Sequence, residues 1–116
     1  MDGRIFYLTQ KMKENLEYQW TVGEMADMVD LSQPHLQKLF RAETGVSPLA
    51  YLKNLRLDLA RTLLEDSFQQ VKQICVETGL YNQSHFASDF KKRFGLTPTE
   101  YRKEYWAIEQ LPQPNG

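Results

Sequence analysis

Gln37 and Lys38 stand side by side in the stretch LSQPHLQKLFRAETGVSPLAY, which runs from Leu31 to Tyr51. A glutamine amide presents a donor next to an acceptor, the pattern that pairs with adenine, and a lysine ammonium can donate to O6 and N7 of guanine. From Tyr81 to Tyr101 the chain reads YNQSHFASDFKKRFGLTPTEY. There Gln33, His35, Phe40, Gly45, Pro48 and Tyr51 recur as Gln83, His85, Phe90, Gly95, Pro98 and Tyr101. The exposed positions expected of this second copy are Gln83, Ser84, Ala87 and Ser88.

Other chemistries find less support. His35 and His85 recur at matching positions, but they stand fifty residues apart with no cysteine or second histidine at ligand spacing, so no metal site is expected. No glycine-rich phosphate loop and no Ser, His and Asp grouping suggests catalysis, so the chain is not expected to be an enzyme or to need a cofactor. The one cysteine, Cys75, falls in an apolar stripe with Val71 and Ile74 and reads as a small core residue. A single cysteine allows no internal disulfide, which fits a reducing, cytoplasmic setting. No apolar run approaches the roughly 20 residues of a membrane span.

The elements that must hold these residues are helical. Glycine and proline are few, strand-like alternation does not persist, and helix punctuation is frequent. Ile5, Leu8, Met12 and Leu16 define one face of a first helix over 4–17. Thr21-Val22-Gly23-Glu24 has the form of a capping box, with Trp20 and Met25 placed as a hydrophobic staple, and opens a short helix to about Val29. Ser32 caps the next helix, Pro34 lies in its first turn, Leu36, Leu39 and Phe40 form its buried stripe, and Gly45 ends it. Ser47-Pro48 starts a long helix to about Leu64, with Leu52, Leu55, Leu59, Leu63 and Leu64 inward. The pattern then restarts: Val71, Ile74 and Cys75, a turn at Gly79, a helix capped by Asn82 that carries Phe86 and Phe90, a stop at Gly95. Thr97-Pro98-Thr99-Glu100 is a second capping box opening the last helix. The expectation is an all-α chain of seven helices.

A short helix, a tight turn and a helix with a polar outer face make a helix-turn-helix, whose second helix can enter the major groove. Two copies suggest two grooves. The helix from Pro48 to Leu64 would measure about 25 Å at 1.5 Å per residue. Reading helices at its two ends could then sit about 34 Å apart, the spacing of successive major grooves on one face of DNA. The net charge of −1 argues against a phosphate partner only until its distribution is considered. Glu14, Glu17, Glu24, Asp27 and Asp30 form an acidic block without Lys or Arg. Lys38, Arg41, Lys53, Arg56 and Arg61, and later Lys91, Lys92, Arg93, Arg102 and Lys103, place basic blocks on the repeated unit.

With both units in view, LSQPHLQKLFRAETGVSPLAYLKNLRLDLARTLL followed by GLYNQSHFASDFKKRFGLTPTEYR resembles the DNA-binding domain of the AraC/XylS family of bacterial transcription regulators. The resemblance covers roughly Tyr18 to Tyr105, and FKKRFGLTPTEYR is its most diagnostic stretch. It implies two helix-turn-helix subdomains, over residues 1–47 and 66–110, joined by a linking helix over 48–65 and followed by a flexible tail over 111–116. It further implies binding to asymmetric double-stranded DNA sites and, usually, activation through RNA polymerase. Full-length members commonly add an effector-binding or dimerisation domain, so the chain is expected to be either an excised DNA-binding fragment or a small stand-alone member. By the same resemblance, base contacts fall to Pro34, Gln37, Lys38 and Arg41 in the first unit and to Gln83, Ser84, Ala87 and Ser88 in the second. Phosphate contacts are expected from Ser32, Lys53, Asn82, Lys91, Lys92, Thr97, Thr99 and Arg102. Many family members carry Arg where this chain has Ser88, and Asp89 follows. The first unit is therefore expected to discriminate more strongly. The overall acidity, Ser88 and Asp89 also motivate a competing reading, a helical protein-interaction module that has lost specific DNA binding.

Overall fold

The structure, a computed structural model, describes residues 1–109; the expected tail lies outside the described residues. Among the described residues the chain forms seven helices and no strand: α1 (Gly3–Glu14), α2 (Val22–Met28), α3 (Gln33–Thr44), α4 (Pro48–Asp66), α5 (Val71–Thr78), α6 (Gln83–Phe94) and α7 (Pro98–Glu109). The starts follow from the caps. Ser32 Oγ accepts from the His35 amide at 3.3 Å, and Asn82 Oδ1 from the His85 amide at 2.9 Å. At Thr97 the capping box is complete: Thr97 Oγ1 accepts from the Glu100 amide at 3.3 Å, and the Thr97 amide donates to Glu100 Oε1 at 2.9 Å. The box at Thr21 closes on one side only. Its hydroxyl accepts from the Glu24 amide at 3.1 Å, but the Glu24 carboxylate takes the Tyr18 hydroxyl instead of reaching back. Gly45 and Gly95 end α3 and α6 at φ 85° and 86°, a left-handed conformation that a side chain would strain.

Two compact units divide within α4, the first being Met1–Arg56 and the second starting at Leu57. In the first, Ile5, Leu8 and Met12 of α1 pack with Met25, Leu36, Phe40 and Leu52, all essentially buried. In the second, Leu57, Ala60 and Leu64 pack with Ile74, Cys75, Phe86 and Phe90. The expected leucine ladder along α4 is thus corrected. Leu52 and Leu55 serve the first cluster, whereas Leu57, Ala60, Leu63 and Leu64 serve the second, and Leu59 is only half-buried outside both. A single stripe fails because one helix supplies two cores. Cys75 is buried as expected, and burial pushes its thiol pKa up.

In each unit an arginine and a tryptophan donate to backbone carbonyls in or beside a loop. In the first, Arg56 donates from Nε to the Leu16 carbonyl at 2.8 Å and from an Nη to that of Tyr18 at 2.7 Å. Trp20 Nε1 reaches the Asn15 carbonyl at 2.9 Å. In the second, Arg102 donates to the carbonyls of Leu63, Leu64, Ser67 and Gln69 over 2.5 to 3.3 Å, and Trp106 Nε1 to that of Glu65 at 3.1 Å. The guanidinium also lies 4.9 Å from the Trp106 ring centroid. Four of its five N–H groups have partners inside the fold, and burial lowers its pKa. Arg102, expected at a phosphate, thus spends most of its donors on closing the end of α4.

Hydrogen bonds to charged groups contribute about 1.5–3 kcal/mol each when buried, and several are lost together here. Arg102→Ala should lower unfolding stability by roughly 2–4 kcal/mol in urea denaturation, with Arg102→Lys recovering only a fraction. An unchanged midpoint for Arg102→Ala would contradict the clamp. Tyr101 gives a second test. Its hydroxyl bonds to the Glu65 carboxylate, and burial, helped by that carboxylate, pushes its pKa from 10.0 up to about 12. The folded state holds this proton more tightly, so its contribution is complete below pH 10 and lost as pH rises toward 12. Stability measured between pH 9 and 12 should fall less steeply in Tyr101→Phe.

Candidate nucleic-acid interface

α3 is held by Leu36 and Phe40, both fully buried, and this fixes what its other side offers. Pro34, Gln37, Lys38 and Arg41 are all exposed. Their spacing of three, one and three residues puts them on one helical face. Ser32 is exposed at the helix start, where its hydroxyl also serves as the cap. Lys53 is exposed in the early turns of α4, behind the Ser47 hydroxyl that accepts the Ala50 amide at 3.3 Å.

The second unit repeats this with different residues. Phe86 and Phe90 anchor α6, while Gln83, Ser84 and Ser88 are exposed and Ala87 is half-buried. Gln83, Ser84 and Ala87 line a groove of about 340 Å³ with Val71, Thr97, Pro98 and Thr99. Three expected base-contact positions and two expected phosphate contacts, Thr97 and Thr99, are therefore brought to one place. Ser88 is exposed one helical step away and does not line the groove. Asn82 is exposed at the start of α6. Lys91 and Lys92 are exposed in its last turn, where positive charge also complements the helix dipole. The Thr97 amide is held inside the cap by Glu100. That backbone hydrogen bond, joined by the one from the threonine side chain, keeps the Glu100 carboxyl below its usual range.

Several cations of the basic blocks are engaged within the fold. Arg93 pairs with Asp58 at 3.0 and 3.2 Å, Arg61 lies 5.0 Å from the Phe94 ring centroid, and Arg56 and Arg102 hold loop carbonyls. Lys38, Arg41 and Lys53 in the first unit, and Lys91, Lys92 and Lys103 in the second, are exposed, as are Arg61 and Arg93. His35 and His85 are both exposed on the first turns of their helices. Gln33, outside the expected contact set, is the first residue of α3 and is exposed. Its recurrence as Gln83 was the signal that could have singled it out.

Comparison with known proteins agrees with this arrangement. A family described as a helix-turn-helix domain matches residues 25–104. The transcriptional regulator MtrA of Neisseria gonorrhoeae is 29% identical over 103 residues, which are 89% of this chain and 34% of that protein. The transcriptional activator RclR of Escherichia coli K12 is 34% identical over 100 residues, covering 86% of this chain and 35% of its own length. This chain thus spans about a third of the length of these relatives. The crystal structure of the DNA-binding domain of AdpA, solved with a target DNA, superposes with a TM-score of 0.88 at 26% identity, covering 94% of this chain and 98% of that one. An AraC-type regulator structure from Chromobacterium violaceum gives 0.80 at 29% identity, covering 88% and 91%. The chain belongs to this helix-turn-helix family, as a DNA-binding domain of the AraC/XylS type.

Proposed function

We propose that this chain binds an asymmetric site in double-stranded DNA, with α3 and α6 in successive major grooves, and that it activates bacterial transcription through contact with RNA polymerase. The observation that carries this reading is the doubled face: in each unit a helix anchored by buried aromatic or aliphatic residues turns a small, polar or basic set outward. The domain of AdpA, solved with a target DNA, has the same fold and supports it. Base discrimination falls mainly to Gln37 and Lys38, whose donors suit adenine and guanine edges, with Pro34 and Arg41 flanking them. Gln83, Ser84, Ala87 and Ser88 contact the second groove, where Ser88 makes shorter, less selective contacts. Ser32, Lys53, Asn82, Lys91, Lys92, Thr97 and Thr99 set the register on the phosphates.

The activity is tested by selecting bound duplexes from a randomised pool with the purified domain, at about 50 and 200 mM salt. The expected product is a non-palindromic site with two blocks about one helical turn apart. No enrichment at either salt would sink the reading and favour a protein-interaction module. On the selected site, Lys38→Ala should reduce cognate affinity by roughly tenfold or more while changing non-specific binding little. Lys53→Ala should weaken both kinds of binding similarly and reduce the slope of log affinity against log salt by about one. Binding titrations over a salt series check both.

A further inference from the structure

The head of α3 carries a side chain with an unusual seat. Gln33 is the first residue of that helix and is exposed. Its amide rests against α2 at Gly23: a Cβ built on Gly23 would lie 3.1 Å from Gln33 Nε2 and 3.8 Å from Gln33 Cδ. A side chain at residue 23 would crowd that amide, which would have to shift by a few tenths of an ångström. The contact is confined to the amide end, and it biases where that group sits before DNA is bound. First-turn residues of a reading helix are the ones that approach base edges.

The repeat supplies an independent observation. Gln33 recurs as Gln83, and Gln83 lines the groove in the second unit beside Ser84 and Ala87. The seat itself does not recur. Fifty positions after Gly23 stands Gln73, whose own amide donates to Glu77 Oε1 at 3.3 Å. The two glutamines hold matching positions, and one of them has a backbone shelf beneath it.

We propose that Gln33 is a further specificity-determining residue of the first unit, reading an adenine edge with its amide, and that Gly23 is the positioning residue that holds it there. This rests on the DNA-binding reading above. Adenine is the target because the glutamine amide supplies a donor and an acceptor together, matching N7 and N6 in the major groove.

The experiment starts from the duplex selected by the unaltered domain, so failure of the general reading is seen first, as absence of any selected site. Affinities are then measured for that duplex and for each single base-pair variant. Gln33→Ala should flatten discrimination at one A·T pair by roughly tenfold and leave the preferences assigned to Gln37 and Lys38 intact. Gly23→Ala should flatten the same position, because the added carbon displaces the amide. Its melting temperature should not fall, since alanine is the better helix residue. A uniform loss of affinity with discrimination unchanged would place Gln33 on a phosphate and overturn the proposal, as would no effect. If Gln33→Ala relaxes that position and Gly23→Ala does not, the role given to Gly23 is wrong.

Discussion

Carbonyl oxygens at the end of α4 and in the loops ahead of α2 and α5 are held by two guanidinium groups. A backbone carbonyl left without a donor in a partly buried place costs as much as a lost hydrogen bond. Arg56 donates at Leu16 and Tyr18, and Arg102 at four positions between Leu63 and Gln69, adding to the backbone amides that the Tyr18 and Leu63 carbonyls already accept. Only when those loops are fixed do α2 and α5 have fixed starts. Their starts in turn set where the turns into α3 and α6 begin. α3 and α6 thus follow segments whose carbonyls are held by cations of the fold itself.

The site adds chemistry to that frame sparingly. Each reading helix is pinned from behind by apolar side chains, so its outward set is rigid without being elaborate. The first unit turns out a glutamine and a lysine; the second turns out serines and an alanine over a groove closed by the start of α7.

Much of this was legible in the sequence because it is written locally. Caps act over three residues and a left-handed glycine over one, so Ser32, Asn82, Thr97, Gly45 and Gly95 announce their helices directly. The outward positions of α3 and α6 follow from helical spacing once Phe40 and Phe90 are assigned inward. The clamps were not legible, because their partners lie more than thirty residues away in sequence. The repeat even misdirects. Fifty positions after Arg56 stands Trp106, and fifty before Arg102 stands Leu52, so the same task is done by residues out of register. A count of basic residues cannot separate Arg102, which holds carbonyls, from Lys92, which is exposed. Nor could a leucine count show that α4 changes its allegiance between Leu55 and Leu57.

That change of allegiance within α4 limits how such reading units could be exchanged between related chains. A recombination joint in the loop before Ser47 would separate the first core from its Leu52, and one after Asp66 would separate the second from Leu57, Ala60 and Leu64. A joint at Arg56–Leu57, in mid-helix, leaves each cluster and each arginine clamp with its own half. Chimeras that trade one DNA half-site for another are therefore best spliced through the middle of a helix, where convention would place no boundary.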